Sequence, residues 1–317
     1  MSYWLNRQQK AMLALEKSED AIKKRISKYL LKESARLDRL ISSYFTKYSV
    51  NDVVDYKLLM LSLSDADKEL LYQDWSAFTQ QYPQYAYLAP VRESIYKLNR
   101  LDGLQSSIRL MQLEFGAFEN EQLKAHLEHI GADAYENALQ TLGHEYNPEI
   151  IKQFVNTMWT GDYNFSSTIW NNTEKLSKYL CTDVAQGFAR GDSYAKLSKQ
   201  VTERMEKVSR RDAYRLIYTE GTFVYNKATA TVVSQDFDEY RISSINDNKT
   251  CDICKGMRGK TFRFEDIDTG VNFPPFHAWC RCSFEIVLPE DRDKWLQDYV
   301  KNNGGNTNHA NTILNRM

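Results

Sequence analysis

Four of the chain's five cysteines stand in one window, residues 245–287. They are arranged as Cys251-x-x-Cys254, then 22 residues, then His277-x-x-Cys280-x-Cys282. Thiolates two or three residues apart on a tight turn can reach one tetrahedral Zn²⁺, with Zn–S bonds of about 2.3 Å. A segment that gathers such donors has to double back on itself. Gly256, Gly259, Gly270 and the Pro274-Pro275 pair mark the turns. The expected path is a knuckle, a short β-hairpin and a second knuckle. The metal would tie the strands around Thr261 and Phe284 together and replace a core that about 40 residues cannot supply alone. Five candidate ligands exceed four places, so one of them is an outer partner or free.

The chemistry of the window points to structure before catalysis. A structural zinc site closes all four positions with Cys and His, whereas a catalytic one keeps a water. Four thiols and a histidine favour closure. The alternatives are a metal-free reduced cluster, or disulfides formed in an oxidising environment.

At 317 residues the chain is long enough for a large core and two domains. Its 41 Lys/Arg and 42 Asp/Glu nearly cancel, which argues against a globally basic nucleic-acid binder. The first 50 residues depart from that balance, with 11 Lys/Arg against 5 Asp/Glu. No run of about 18 apolar residues is present, so no membrane span is expected. The start, Met1-Ser2-Tyr3-Trp4, lacks an apolar signal-peptide core. Few cysteines in metal-ligand spacing suit a reducing cytoplasm.

Glycine is absent before Gly103, and only Pro83 and Pro90 interrupt that stretch, so the N-terminal end is expected to be helical. Leu15, Ile22, Ile26, Leu30, Leu37, Ile41, Tyr44 and Tyr48 form one apolar stripe, predicting one long helix or two over residues 5–48. Lys23, Lys24, Arg25, Lys28 and Lys32 fall largely off that stripe. They form either a solvated face or a basic face towards DNA or an acidic partner. The stretch Ser62-Leu63-Ser64-Asp65-Ala66-Asp67-Lys68-Glu69 offers good caps for a helix carrying Leu70, Leu71 and Trp75. Residues 81–90 read as a loop, and helices are predicted over 91–115, 119–130 and 134–142. His126 and His129 match no metal motif and read as helix-surface residues. Residues 143–172 are turn-rich, with Trp159, Tyr163 and Trp170 expected to pack onto a core. Further helices are predicted over 176–188, 194–205 and 211–233, with Cys181 a buried small hydrophobe. After Asp236 the pattern changes to strands at 240–245, 261–264 and 283–287. A last helix is predicted over 290–300, and an Asn- and Gly-rich tail follows.

The expected fold is therefore mainly α: an elongated helical N-terminal body followed by a small α+β module with a zinc-knuckle-like Cys/His cluster. The expected divisions are 1–142, 143–235, 236–290 and 291–317.

In blocks along nearly the whole chain, the sequence resembles the phage minor head proteins of the Mu F-like, head morphogenesis type. The blocks are Tyr3-Trp4 with Arg7; Leu101 to Phe115; Trp159, Gly161, Tyr163, Ser166 and Trp170; Phe188, Gly191 and Ser193; and Arg215, Ile217, Thr219 and Glu220. The most specific runs from Asp247 through Cys251, Cys254, Gly259-Lys260, Phe262 and Pro274-Pro275 to His277 and Cys280-Arg281-Cys282. Ala278 and Tyr218 depart from the pattern, standing where proline and arginine are frequent. The resemblance implies an internal procapsid component, made in the host bacterial cytoplasm and resident in the virion. Such a protein works in head assembly through the portal and the capsid or scaffolding proteins, with phage DNA a further partner. No small-molecule substrate and no enzymatic activity are implied. Glu220 is the one acid/base candidate, and no second carboxylate or Ser–His pair supports that role. It is expected instead to cap or brace the metal module, with Arg215 a further bracing residue, while Arg281 clamps Asp247 or Glu220 or meets a phosphate, the internal clamp being preferred. The competing readings are a zinc-dependent nuclease with His277 as base, or a DNA-binding module that uses the basic face at Lys23–Lys32.

Overall fold

The computed structural model describes residues 3–142, 147–159, 161–244, 248, 250–288 and 290–302. The expected Ile245 and Asp247, the 303–317 tail, and the side chains of Tyr3, Trp4 and Arg7 lie outside what it describes.

The chain is mainly α, as its periodicity predicts. Helix α1 (Tyr3–Tyr48) is a single helix. A two-residue turn at Asn51-Asp52, both with positive φ, joins β1 (Ser49–Val50) to β2 (Val53–Val54). Asn and Asp tolerate this conformation, so Val-Asn-Asp-Val was a readable hairpin signal. Helices α2 (Tyr56–Leu59) and α3 (Asp65–Gln81) follow, the latter capped by Ser64, one of the offered residues, through the Asp67 amide. The predicted loop at 81–90 is a 3-10 turn over Pro83–Leu88.

The helix predicted over 91–115 breaks after α4 (Arg92–Ile95). Residues 98–100 leave the helical path to bond residues 61–63, through Leu63 N–H to the Leu98 carbonyl and Arg100 N–H to that of Leu61. Asn99 then caps α5 (Arg100–Leu142), exchanging side-chain and backbone bonds with Asp102. The three segments predicted between 101 and 142 are this one helix. Its glycines are contact points: a Cβ on Gly116 would lie 2.6 Å from Thr173 Oγ1, and one on Gly131 2.8 Å from both Ile151 and Val224. The turn-rich stretch holds α6 (Glu149–Val155), whose amide at Glu149 is bonded by Asn147. It leads into α7 (Phe165–Arg190), which ends at Gly191 with φ +70°. The two helices predicted over 194–233 are one, α8 (Tyr194–Val233); the connecting Glu-Lys-Val-Ser-Arg stretch contains no breaker.

Three strands follow: β3 (Glu239–Ser243), then, after α9 (Asp252–Met257), β4 (Thr261–Arg263), and finally β5 (Ser283–Ile286). The order is β4-β3-β5, antiparallel throughout. The hairpin expected between the two Cys pairs therefore does not form. Thr261 and Phe284 sit on opposite edge strands, joined through β3, because Tyr240 pairs with Phe262 on one side and Ile286 on the other. Helix α10 (Arg292–Asn302) docks by stacking Trp295 on Phe237 at 5.4 Å.

The chain divides into two compact units, each built from separate stretches: residues 1–23, 123–165 and 214–317, and residues 24–122 and 166–213. The second unit has a core of Leu71, Trp75, Phe78, Ile95, Leu110 and Leu113, against which Tyr85 and Trp170 pack. The first contains the sheet and an aromatic core of its own. Tyr240, fully buried, meets Phe262, Phe264, Phe273 and Phe284 at 5.0–5.9 Å. The module thus possesses the hydrophobic core that its length seemed to deny it.

Gly131→Leu should lower the thermal midpoint by the equivalent of about 1–3 kcal/mol, the usual cost of overpacking. Gly256→Ala, in α9 with nothing within 4 Å of the added carbon, should leave it unchanged or raise it slightly. Thermal denaturation followed by circular dichroism checks both.

Candidate metal centre

The two halves of the cluster are built differently. Cys251 caps α9 and its carbonyl accepts the Lys255 N–H at 3.0 Å, so Cys254 falls in the first helical turn with its thiol near that of Cys251. The second half is a tight turn, closed by the Cys280 N–H on the His277 carbonyl at 3.1 Å. Trp279 takes a left-handed φ of 64° to make it.

The five predicted donors converge. His277 Nε2 lies 3.1 Å from the sulfurs of both Cys251 and Cys254, and the Cys254 and Cys280 sulfurs are 3.8 Å apart. Two overlapping groups can hold an ion, Cys251/Cys254/His277 and Cys254/Cys280/Cys282, with Cys254 common to both. Zinc with tetrahedral bonds of about 2.3 Å separates its sulfurs by about 3.8 Å, the spacing of the Cys254–Cys280 pair. The corresponding sulfur–nitrogen edge is about 3.6 Å, so an ion would spread the histidine from its neighbours slightly. The tautomer also fits. His277 Nδ1 lies 2.7 Å from the Ala278 carbonyl. As an N–H donor there, it leaves the Nε2 lone pair facing the thiols, an arrangement common at metal-bound imidazoles.

Charge in the cluster is uneven. A hydrogen bond from Cys282 is the largest influence holding the Cys280 thiol low, and that bond together with burial holds Cys282 high. Burial leads in raising Cys254, while backbone N–H groups, chiefly that of Cys254, lower exposed Cys251. One thiolate is favoured in the buried part and further ones repel it; a divalent cation supplies the charge that lets several ionise together.

Helix α8 grips this turn at two points seven residues apart. The Thr219 hydroxyl accepts the Trp279 N–H at 3.1 Å. The fully buried Asn226 donates to the Cys282 carbonyl at 3.2 Å and accepts from the Ser283 hydroxyl at 2.8 Å. Sequence reasoning missed Asn226; an amide at an otherwise apolar helix position was its one signal.

The other predicted residues are distributed more widely. Glu220 is directed to Trp159, whose Nε1 donates to it at 3.0 Å, and not to the cluster. Burial raises its carboxyl to about 7 against that bond and the Arg215 charge. Arg281 donates to Thr250 at 3.4 Å. Lys23 is drawn off the basic face by Glu19 at 2.9 Å, whereas Lys24, Arg25, Lys28 and Lys32 are exposed. His126 is buried, not on the surface: its turn of α5 faces inward while His129, three residues on, pairs with Asp133 at 3.4 Å. Cys181 is part-buried with its thiol raised to about 11 by burial, in keeping with an unreactive role.

Asn226→Leu should cost about 1–3 kcal/mol, because it strands a buried carbonyl and hydroxyl, and should weaken metal retention against a chelator. For Glu220, the folded carboxyl titrates at about 7 against an ordinary value of 4.5. The folded protein then holds a proton that the unfolded chain releases, and stability present below about pH 4.5 is lost as pH rises through about 7. Glu220→Gln should remove that loss, on the order of 3 kcal/mol at pH 8. Denaturant unfolding at pH 5 and pH 8 checks it; an unchanged pH dependence counts against the buried-acid assignment.

Residues 178–285 match the family model described as Phage Mu protein F like protein. That span includes the Phe188–Ser193 turn, the Arg215–Glu220 element and the Cys/His cluster, while the resembling blocks before residue 178 lie outside it. No curated protein and no solved structure matches the chain. Through the stretch that carries the second half of α7, α8, the sheet and the metal centre, the chain is thus similar to the Mu F-like family of phage proteins.

Proposed function

We propose that this protein is a minor capsid component, internal to the procapsid. It acts in head assembly through contacts with the portal and with capsid or scaffolding proteins, and a structural zinc ion closes its Cys/His cluster. The single observation that carries the reading is the family match over 178–285, the span in which the candidate ligands converge. Among the described residues no helix is long and apolar enough to cross a membrane.

The zinc is held by Cys254 with three of Cys251, His277, Cys280 and Cys282. Thiol-rich closure is what supports a structural ion and a non-enzymatic protein. The aromatic core around Tyr240 limits what the ion contributes: it sets the two knuckles, while the sheet has packing of its own. The helical surfaces are the partner-binding part, with the basic face of α1 available to phage DNA.

Protein purified without chelator should carry one zinc per chain by elemental analysis. Chelation should expose the thiols to a colorimetric reagent while the far-ultraviolet spectrum stays largely helical. Deletion of the gene for this chain should yield defective heads, and tagged protein should copurify with the cognate portal or with procapsids. Absence from both would overturn the assembly role.

A further inference from the structure

Helix α1 carries a row of cations that the fold leaves unneutralised. Lys24, Arg25, Lys28, Lys32 and Arg39 are all exposed, and none of them forms an ion pair among the described residues. The remaining basic residues of this stretch are engaged: Arg36 with Glu33 and Glu114, and Lys47 with Asp67. Between residues 24 and 48 the only acids are Glu33 and Asp38, and both are turned away. Glu33 is 1% exposed, and Asp38 accepts from Tyr194 and Ser198. Lys24, Lys28, Lys32 and Arg39 recur at helical spacing over about 22 Å.

The structure adds cations that no local sequence window contains. Bonds from Ser34 to Glu206 and from Tyr194 and Ser198 to Asp38 lay α8 antiparallel beside α1. In that register, exposed Lys207 and Arg210 come alongside the Lys28–Lys32 turn. Lys207 forms no ion pair among the described residues, and Arg210 meets Glu206 only at 4.0 Å.

We propose that this two-helix face binds the phosphate backbone of double-stranded DNA without sequence preference. It rests on the head-protein reading and names the partner of that face. A duplex carries one charge per about 1.7 Å of axis, so a face of this length spans about a dozen phosphates. Single-stranded nucleic acid is less suited, since it is usually held on exposed aromatic platforms. The one ring on this part of α1, Tyr29, is stacked on Phe118 at 4.1 Å. The α1 row has no exposed acid between Lys24 and Arg39, and a run of like charge of that kind fits a linear polyanion better than the mixed charge of a protein surface.

The test uses the full chain and a fluorescent duplex of random sequence, roughly 30 base pairs long. Anisotropy is followed between about 50 and 200 mM salt, where counterion release is read. Wild type should bind, with log K falling linearly in log salt. Neutralising Lys24, Lys28, Lys32 and Arg39 together to Gln should flatten that slope by about three to four, near 0.9 for each phosphate no longer neutralised. Lys207→Gln with Arg210→Gln should flatten it further, and Lys152→Gln, at an ion pair with Glu149 elsewhere, should not. Circular dichroism and zinc content establish that each variant is folded. No binding at the lowest salt, a quadruple variant with an unchanged slope, or equal binding of polyglutamate would overturn the proposal. Procapsid incorporation is read separately. Loss of DNA binding with incorporation intact counts only against this face, whereas DNA binding without incorporation counts only against the assembly role.

Discussion

The buried amide of Asn226 is the contact on which the organisation of the metal centre depends. It binds a carbonyl and a hydroxyl at the foot of β5, immediately after the last candidate ligand. Two turns earlier on the same helix, Thr219 holds the backbone of Trp279. Between these clamps lie Cys280, Arg281 and Cys282. In an extended segment residues two apart share a face, so Cys280 and Cys282 can both be presented to one cluster, with Arg281 on the other side, once the backbone that carries them is fixed. Helix α8 does the fixing, and it can do so because residues 219 and 226 are seven apart and share a face.

Once that turn is placed, the rest of the module follows by packing. The strand beginning at Ser283 pairs with β3, whose Tyr240 anchors the aromatic core. Cys254, Cys280 and Cys282 form a separate small buried cluster with Phe276 against it. The module therefore has two sources of order: a dry aromatic side that needs no ion, and a thiol side whose like charges require one. This division explains why loss of metal is expected to free the knuckles before it affects the sheet.

Burial governs the ionisable groups elsewhere as well. Glu220 and Glu119 are carboxyls enclosed by helices, the first raised to about 7 and the second to about 8, chiefly by desolvation. Such acids make a folded chain less tolerant of alkaline conditions, since ionising them inside the protein lacks the compensation of a full ion pair. The cations of α1 show the opposite arrangement. Between Lys24 and Arg39 the two acids are withdrawn, Glu33 buried and paired with Arg36 and Asp38 bonded to α8, so positive charge remains at the surface.

Periodicity alone determined that this chain is mainly helical, and the spacing of Cys251, Cys254, His277, Cys280 and Cys282 alone determined where donors would gather. Both signals are local: an apolar stripe repeats within one helix, and ligands two or three residues apart share one turn. The tertiary structure decided what local pattern cannot hold. The segments predicted over 91–115, 119–130 and 134–142 run on as α5 from Arg100, and Gly116 and Gly131 within it leave room where neighbouring side chains approach the backbone. The expected hairpin became two edge strands on β3, since strand partners are chosen by which aromatic faces can be buried together. Glu220 turned to Trp159, while Thr219 and Asn226 turned to the cluster. One helix exposes a different face at every residue, and only the packed neighbours settle which of those faces meets the site.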